Sequence, residues 1–307
     1  MIARAPKLGP LMVAMVTPFD AQGALDLAQA RRLARFLVAQ GHDGIVVSGT
    51  TGESPTLSDD EKLALLGAVK EAAGERASVV AGSGGNDTRH SVALTRRAEA
   101  AGADAILAVV PYYNRPPQDG LLGHFGAIAE ATRLPVIVYN IPSRTGANLL
   151  PATLLELARR YQNIVGVKEA SGDVRQFTAI LRERPAGFGF WSGDDGFYLP
   201  VLALGGEGLI SVASHLCARE LVELRRAFVA GEVARAGDIH RALMPLFDAL
   251  FATTNPIPVK WAMNELGFFC GPCRPPLGAL PTEQAVTLGA LLAPYRERAR
   301  AADGIAV

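Results

Sequence analysis

Ser78-Val79-Val80-Ala81, then Thr88–Ala101, then Ala105-Ile106-Leu107-Ala108-Val109-Val110: these three runs, read together, decide the fold. The first and third are short, apolar and rich in β-branched residues, as strands buried on both faces are. The middle run carries Ala, Leu, Arg and Glu at helical spacing, and Gly102 marks the turn into the next strand. Strand, helix, strand in that order predicts two parallel strands joined by a crossover helix. The unit recurs. Strand-like runs lie at Leu11–Val16, Gly44–Val47, Ser78–Ala81, Ala105–Val110, Pro135–Tyr139, Ile164–Lys168, Gly187–Trp191 and Gly208–Val212. Helical stretches between them include Asp26–Gln40, Ser58–Ala73, Thr88–Ala101 and Pro151–Tyr161. Eight such units predict closure into a (β/α)8 TIM barrel. The alternative is a doubly wound open sheet, but no Gly-x-Gly-x-x-Gly turn follows the first strand. Past about residue 230 the strand signal stops, and Gly231–Phe251, Pro258–Leu266 and Pro281–Ala301 read as helices. The expected organisation is a catalytic barrel over 1–230 and a small C-terminal helical extension over 231–307.

Composition narrows the function classes. Hydrophobic residues are 49% and charged residues 20% of 307, as in a globular protein with a large core. Thirty basic and thirty acidic residues cancel, so no footprint favours nucleic acid or an anionic membrane. No apolar run is long enough to span a bilayer, and Met1–Lys7 lacks the apolar region of a secretory signal. Three cysteines cannot form a fully paired disulfide framework. A cytoplasmic enzyme is the expectation.

Lys168 closes the run Ile164-Val165-Gly166-Val167-Lys168. Strict alternation puts Ile164, Gly166 and Lys168 on one face and Val165 and Val167 on the other. An amine on a buried face loses solvation of its charged form, its pKa falls, and it can form a Schiff base with a carbonyl substrate. The plainer reading is a strand-end lysine reaching solvent.

In a TIM barrel the chemistry sits at the C-terminal ends of the strands. Polar groups gather there: Gly49-Thr50-Thr51-Gly52-Glu53, Pro111-Tyr112-Tyr113-Asn114, Tyr139-Asn140-Ile141-Pro142-Ser143-Arg144, Lys168-Glu169 and Ser192-Gly193-Asp194-Asp195. Each has a plainer role. Thr50 and Thr51 can cap the next helix, or with their glycines hold an anion. Tyr113 and Tyr139 can be core aromatics with a wet hydroxyl. Arg144 can be a solvated loop residue or a carboxylate fork. Asp194 and Asp195 suggest a metal less than a helix cap, with no histidine nearby. Cys270-Gly271-Pro272-Cys273 has redox spacing, but Arg274-Pro275-Pro276 after it cannot open a regular helix. His215 and Cys217 would have to meet that pair to make a zinc site.

These motifs, with Tyr113-Asn114-Arg115-Pro116, Ser143-Arg144-Thr145-Gly146, Gly166–Ala170 and Asn255–Lys260, give the chain a resemblance to the dihydrodipicolinate synthases. These belong to the pyruvate-dependent Schiff-base aldolase superfamily, and the resemblance runs over nearly the whole chain. It implies the following roles. Lys168 forms the imine with pyruvate, Tyr139 relays protons, and Thr50 links Tyr139 to a Tyr113 that reaches in from a neighbouring subunit. Thr51 holds the pyruvate carboxylate, Arg144 binds the carboxylate of L-aspartate 4-semialdehyde, and Gly193 and Ile210 line the pocket. It also implies a homotetramer built as a dimer of dimers, and neither metal nor organic cofactor. Family members that respond to L-lysine commonly have a histidine where this chain has Lys62 and a glutamate where it has His90. Ser54, Asn86 and Tyr112 of that cleft persist, but Lys62 adds a like charge and His90 removes an acidic partner, so weak or absent inhibition is expected. An aldolase for another aldehyde, such as a 2-keto-3-deoxy sugar acid, is the alternative within the enzyme class. A silent barrel sensing keto acids is the alternative outside it.

Overall fold

Local signals open the helices of the βα units. Asp26 accepts from the Gln29 N–H ahead of helix Leu27–Ala39, and Asp87 accepts from Arg89 and His90 ahead of Thr88–Ala100. Ser58 and Glu61 exchange bonds in a capping box that opens Asp59–Ala73. The computed structural model describes residues 8–303, with side chains through residue 299; Met1–Lys7, read above for a targeting signal, and residues 304–307 lie outside the described residues.

The strands are β1 (Leu11–Ala14), β2 (Gly44–Val47), β3 (Ser78–Gly82), β4 (Ala105–Val109), β5 (Val136–Asn140), β6 (Ile164–Glu169), β7 (Gly189–Ser192) and β8 (Gly208–Ser211). All pair in parallel with their sequence neighbours, and Leu11 opposite Leu209 closes β1 on β8. The result is a closed eight-stranded TIM barrel with extra helices at its C-terminal end. Because strand side chains alternate, two cores form. Met12, Val46, Val80, Leu107, Ile137, Trp191 and Ile210 fill the interior. Val13, Ile45, Val79, Ile106, Val138 and Val167 pack outward against the helices, in one cluster with Leu246, Val259 and Met263 of the C-terminal helices.

Strand six departs from the expected alternation. Val136 faces Ile164 but Ile137 faces Gly166, so Val165 is an extra residue in a bulge. Ile164 therefore joins Val167 in the outer cluster, and only Gly166 and Lys168 keep the assigned face. A Cβ on Gly166 would meet the Trp191 ring at 2.5 Å, so glycine is what lets that indole cross the barrel. The indole Nε1 donates to the Gly9 carbonyl at 3.0 Å, near the start of β1.

Element ends differ for physical reasons. β1 stops at Ala14 and not at Val16, because the Val16 N–H donates to His215 Nε2. β7 starts at Gly189 because Gly187, at φ +82°, lies in a turn. The expected helix over 281–301 is two helices, Thr282–Leu291 and Ala293–Asp303, since Pro294 has no N–H to continue the first. Val233–Leu250 and Ile257–Glu265 complete the extension.

Candidate active site

β6 carries Lys168 into the barrel, where its side chain is 4% exposed. Its amine lies 4.3 Å above the centre of the Tyr139 ring, and the two residues are register partners on β6 and β5. Burial lowers the amine pKa to about 8; the nearby Arg144 charge pushes the same way, and Asp195 opposes it. The solvent-reaching alternative is therefore excluded. A Cβ on Gly193 would stand 3.1 Å from Lys168 Cε and 2.8 Å from the Ala170 Cβ, so this glycine makes room for the lysine stem. Ile210, on β8, is fully buried in the same interior cluster.

Tyr139 is a buried phenol, not a wet one. Burial pushes its pKa up to about 12, while the Arg144 charge and a hydrogen bond with Thr50 pull it back. Thr50, Tyr112, Tyr139 and Arg144 border a cavity of about 240 Å³ at the C-terminal ends of the strands. Lys168 is not among the residues bordering that cavity; it stands behind Tyr139. Arg144 lies on the short helix Pro142–Thr145, and its Nη2 donates to the Asn255 carbonyl at 3.4 Å. The buried Thr51 hydroxyl accepts from Asn255 Nδ2 at 3.0 Å. Neither threonine caps a helix: the next 3-10 turn, Ser54–Thr56, has no side-chain cap, and Ser58 caps the helix after it.

Tyr113 stands apart from the others. It is 89% exposed, its φ is +73°, and it does not border the cavity. A non-glycine residue in the left-handed region at an exposed tip is strained, a feature that clusters at functional sites.

The remaining motif residues resolve into structural roles. Asp194 caps the turn at Gly196, and Asp195 accepts from the Ser211 hydroxyl and from the N–H groups of Val212 and Ala213. Burial raises the Asp195 pKa to about 6. His215 spends Nδ1 on the Val212 carbonyl and Nε2 on the Val16 N–H. Burial raises the Cys270 and Cys273 thiols to about 12 and about 11, the opposite of an activated redox pair.

Several contributors escaped sequence reasoning. Lys260 Nζ bonds Glu53 Oε1 at 2.6 Å, both fully buried beneath the strand-two loop, and the Arg274 N–H bonds Glu53 Oε2. Glu169, on the face opposite Lys168, accepts from Asn140, Gln176 and the Ser171 N–H. Both glutamates and Lys260 were visible in the motifs, but the partners of Glu53 lie more than 200 residues away in sequence.

Known proteins resemble this chain over nearly its whole length. Residues 7–294 match the model of the Dihydrodipicolinate synthetase family. The 4-hydroxy-tetrahydrodipicolinate synthase of Moorella thermoacetica is 55% identical over 284 residues, covering 92% of this chain and 97% of that one. The lysine-bound crystal structure of the enzyme from Cyanidioschyzon merolae superposes with a TM-score of 0.91 at 42% identity, over 97% of this chain and 99% of that one. A monomeric dihydrodipicolinate synthase variant superposes at 0.90 with 38% identity, over 93% and 96%. A match reaching from before β1 into the last helix takes in every strand and every loop that borders the cavity. The chain belongs to the dihydrodipicolinate synthetase family.

Proposed function

We propose that Lys168 is the imine-forming nucleophile of the family's reaction. The chain is a lyase of lysine and diaminopimelate biosynthesis, condensing pyruvate with L-aspartate 4-semialdehyde to 4-hydroxy-tetrahydrodipicolinate. The observation that carries the assignment is a buried amine whose pKa falls to about 8 and which, among the described residues, has no carboxylate bonded to it. Neutral Lys168 attacks the pyruvate ketone, and water leaves as the iminium forms. The iminium withdraws electrons, so the methyl group loses a proton and becomes an enamine carbon. That carbon bonds to the aldehyde carbon, whose oxygen takes a proton and becomes the hydroxyl. The substrate amine then displaces Lys168 and closes the ring.

In this reading Tyr139 donates and recovers protons, and its raised pKa keeps it protonated between transfers. Thr50 hands protons along toward Tyr113 of a neighbouring subunit, Thr51 holds the pyruvate carboxylate, and Arg144 takes the second carboxylate. Gly193 and Ile210 shape the pocket. The exposure of Tyr113 supports an assembly that covers it, a homotetramer of two tight dimers, although a monomeric variant is among the similar structures. The barrel over 1–230 carries the chemistry, and the extension over 231–307 supports it through Asn255 and Lys260. Among the described residues no helix is long and apolar enough to cross a membrane, which fits cytoplasmic work. A coupled assay with pyruvate tests the reading: turnover with aspartate semialdehyde is expected, and preference for another aldehyde would overturn it.

L-lysine should inhibit weakly. Asp59, the acid near the replaced cleft positions, is already engaged by His90 at 2.9 Å and by Lys62 and Arg97 at 3.7 Å. Little of its charge is left for a ligand carrying two ammonium groups. Potent inhibition at submillimolar L-lysine would refute this.

A further inference from the structure

The two residues assigned to substrate carboxylates, Thr51 and Arg144, converge on one position in the C-terminal extension, Asn255. It stands between helices Val233–Leu250 and Ile257–Glu265, 204 residues from Thr51 in sequence, and is buried. Its Nδ2 donates to the Thr51 hydroxyl at 3.0 Å, and its main-chain carbonyl accepts from Arg144 Nη2 at 3.4 Å. Its Oδ1 has no partner among the described residues, so the bond to Thr51 is the side chain's one hydrogen bond there. That bond has a direction. A threonine hydroxyl owns one proton and two lone pairs. The Asn255 amide takes a lone pair, and among the described residues the hydroxyl proton has no protein acceptor. The loop around Thr51 is held independently, since Glu53 bonds Lys260 at 2.6 Å and the Arg274 N–H at 2.8 Å. Loss of the Asn255 amide therefore frees the hydroxyl to rotate without releasing the loop.

We propose that Asn255 is a positioning residue whose amide makes the Thr51 hydroxyl a donor aimed at the pyruvate carboxylate. The proposal rests on the role given to Thr51 above, and Asn255 acts through that hydroxyl. Without the amide the hydroxyl presents a lone pair to the carboxylate in some of its orientations, and binding weakens. The bond from Arg144 goes to the Asn255 main chain, so a side-chain substitution leaves the site of the second carboxylate in place. The effect should therefore fall on pyruvate alone.

Steady-state kinetics on Thr51→Val, Asn255→Ala and the double variant test it against the unaltered protein. Thr51→Val should raise the pyruvate KM roughly tenfold, and Asn255→Ala roughly fivefold, with the KM for aspartate semialdehyde unchanged in Asn255→Ala. In the Thr51→Val background Asn255→Ala should add less than about twofold, because the hydroxyl it acts through is gone. Asn255→Asp, equal in size, replaces the donor by an acceptor and should raise the pyruvate KM further than alanine does. It also serves if the smaller alanine leaves a hole that the fold does not survive. An unchanged pyruvate KM in Thr51→Val would remove the role of Thr51 and the proposal with it. If Thr51→Val raises that KM while Asn255→Ala lowers only kcat, or the two effects multiply in the double variant, Asn255 is merely structural and the proposal alone fails. An Asn255→Asp protein with an unaltered pyruvate KM would overturn it as well.

Discussion

Among the described residues two lysines are buried, and only one of them is held by a carboxylate. Lys168 and Lys260 are 4% and 1% exposed, and each amine lies over an aromatic ring, at 4.3 Å from Tyr139 and 4.1 Å from Phe19. Burial and ring contact are thus common to both. Lys260 differs in having the Glu53 carboxylate at 2.6 Å, an ion pair sealed under the strand-two loop. Among the described residues Lys168 has no such partner. The acid that acts on it, Asp195, already accepts from Ser211 and two backbone N–H groups, and Arg144 adds a like charge. Desolvation lowers an amine's pKa only where no carboxylate restores the charge.

The largest effect should follow from Lys168→Met. Turnover should fall roughly 10³-fold or more, and borohydride reduction with pyruvate should trap no adduct. In the unaltered protein the trapped mass should map to the Lys168 peptide; a label on Lys260 would invert the contrast. Lys260→Met should act on the fold instead. Removing one partner of a buried pair costs about 3–5 kcal/mol, read by urea denaturation, while the surviving folded protein still forms the pyruvate adduct. Loss of the adduct in well-folded Lys260→Met would give the pair a chemical role.

Arg144→Ala should keep the pyruvate adduct and lose condensation by roughly 10²-fold, since one charge-assisted pair is worth about 1.5–3 kcal/mol. Failure of adduct formation in a folded variant would move Arg144 to the first half-reaction. The smallest effect is one of pH. The Lys168 pKa is about 8 in the fold against an ordinary 10.5, so between these values the unfolded chain holds the extra proton. Stability should therefore rise with pH across that window by at most ~3 kcal/mol, and its loss should be complete once pH falls below about 8. Lys168→Met should remove that slope. Adduct formation should accelerate over the approach to pH 8 as the neutral amine accumulates.

The inward Lys168 was legible in the sequence, but by an argument whose frame was partly wrong. Alternation counted from Ile164 reaches the correct face for Lys168, yet the bulge at Val165 puts Ile164 on the other side. A single strand does not announce a bulge, because the extra residue is defined only against its partner strand. The barrel itself was readable, since the βα unit recurs with its own periodicity, and several of its helices carry their own caps. The Glu53–Lys260 pair was not: its members are 207 residues apart, and no local pattern links them. The role expected of Tyr113 came only through resemblance, because within one chain its side chain is exposed and only its N–H meets the site, at the Thr145 carbonyl.

The Trp191 indole, let across by Gly166 and tied to the Gly9 carbonyl, makes the barrel a cup and not a tube. Under the proposed mechanism, anything exchanged with the imine, whether water, proton or product, passes the rim where Tyr139, Thr50 and Arg144 stand. One rim then serves entry and exit alike, so under the proposed roles the residues that admit the second substrate also govern release of the product.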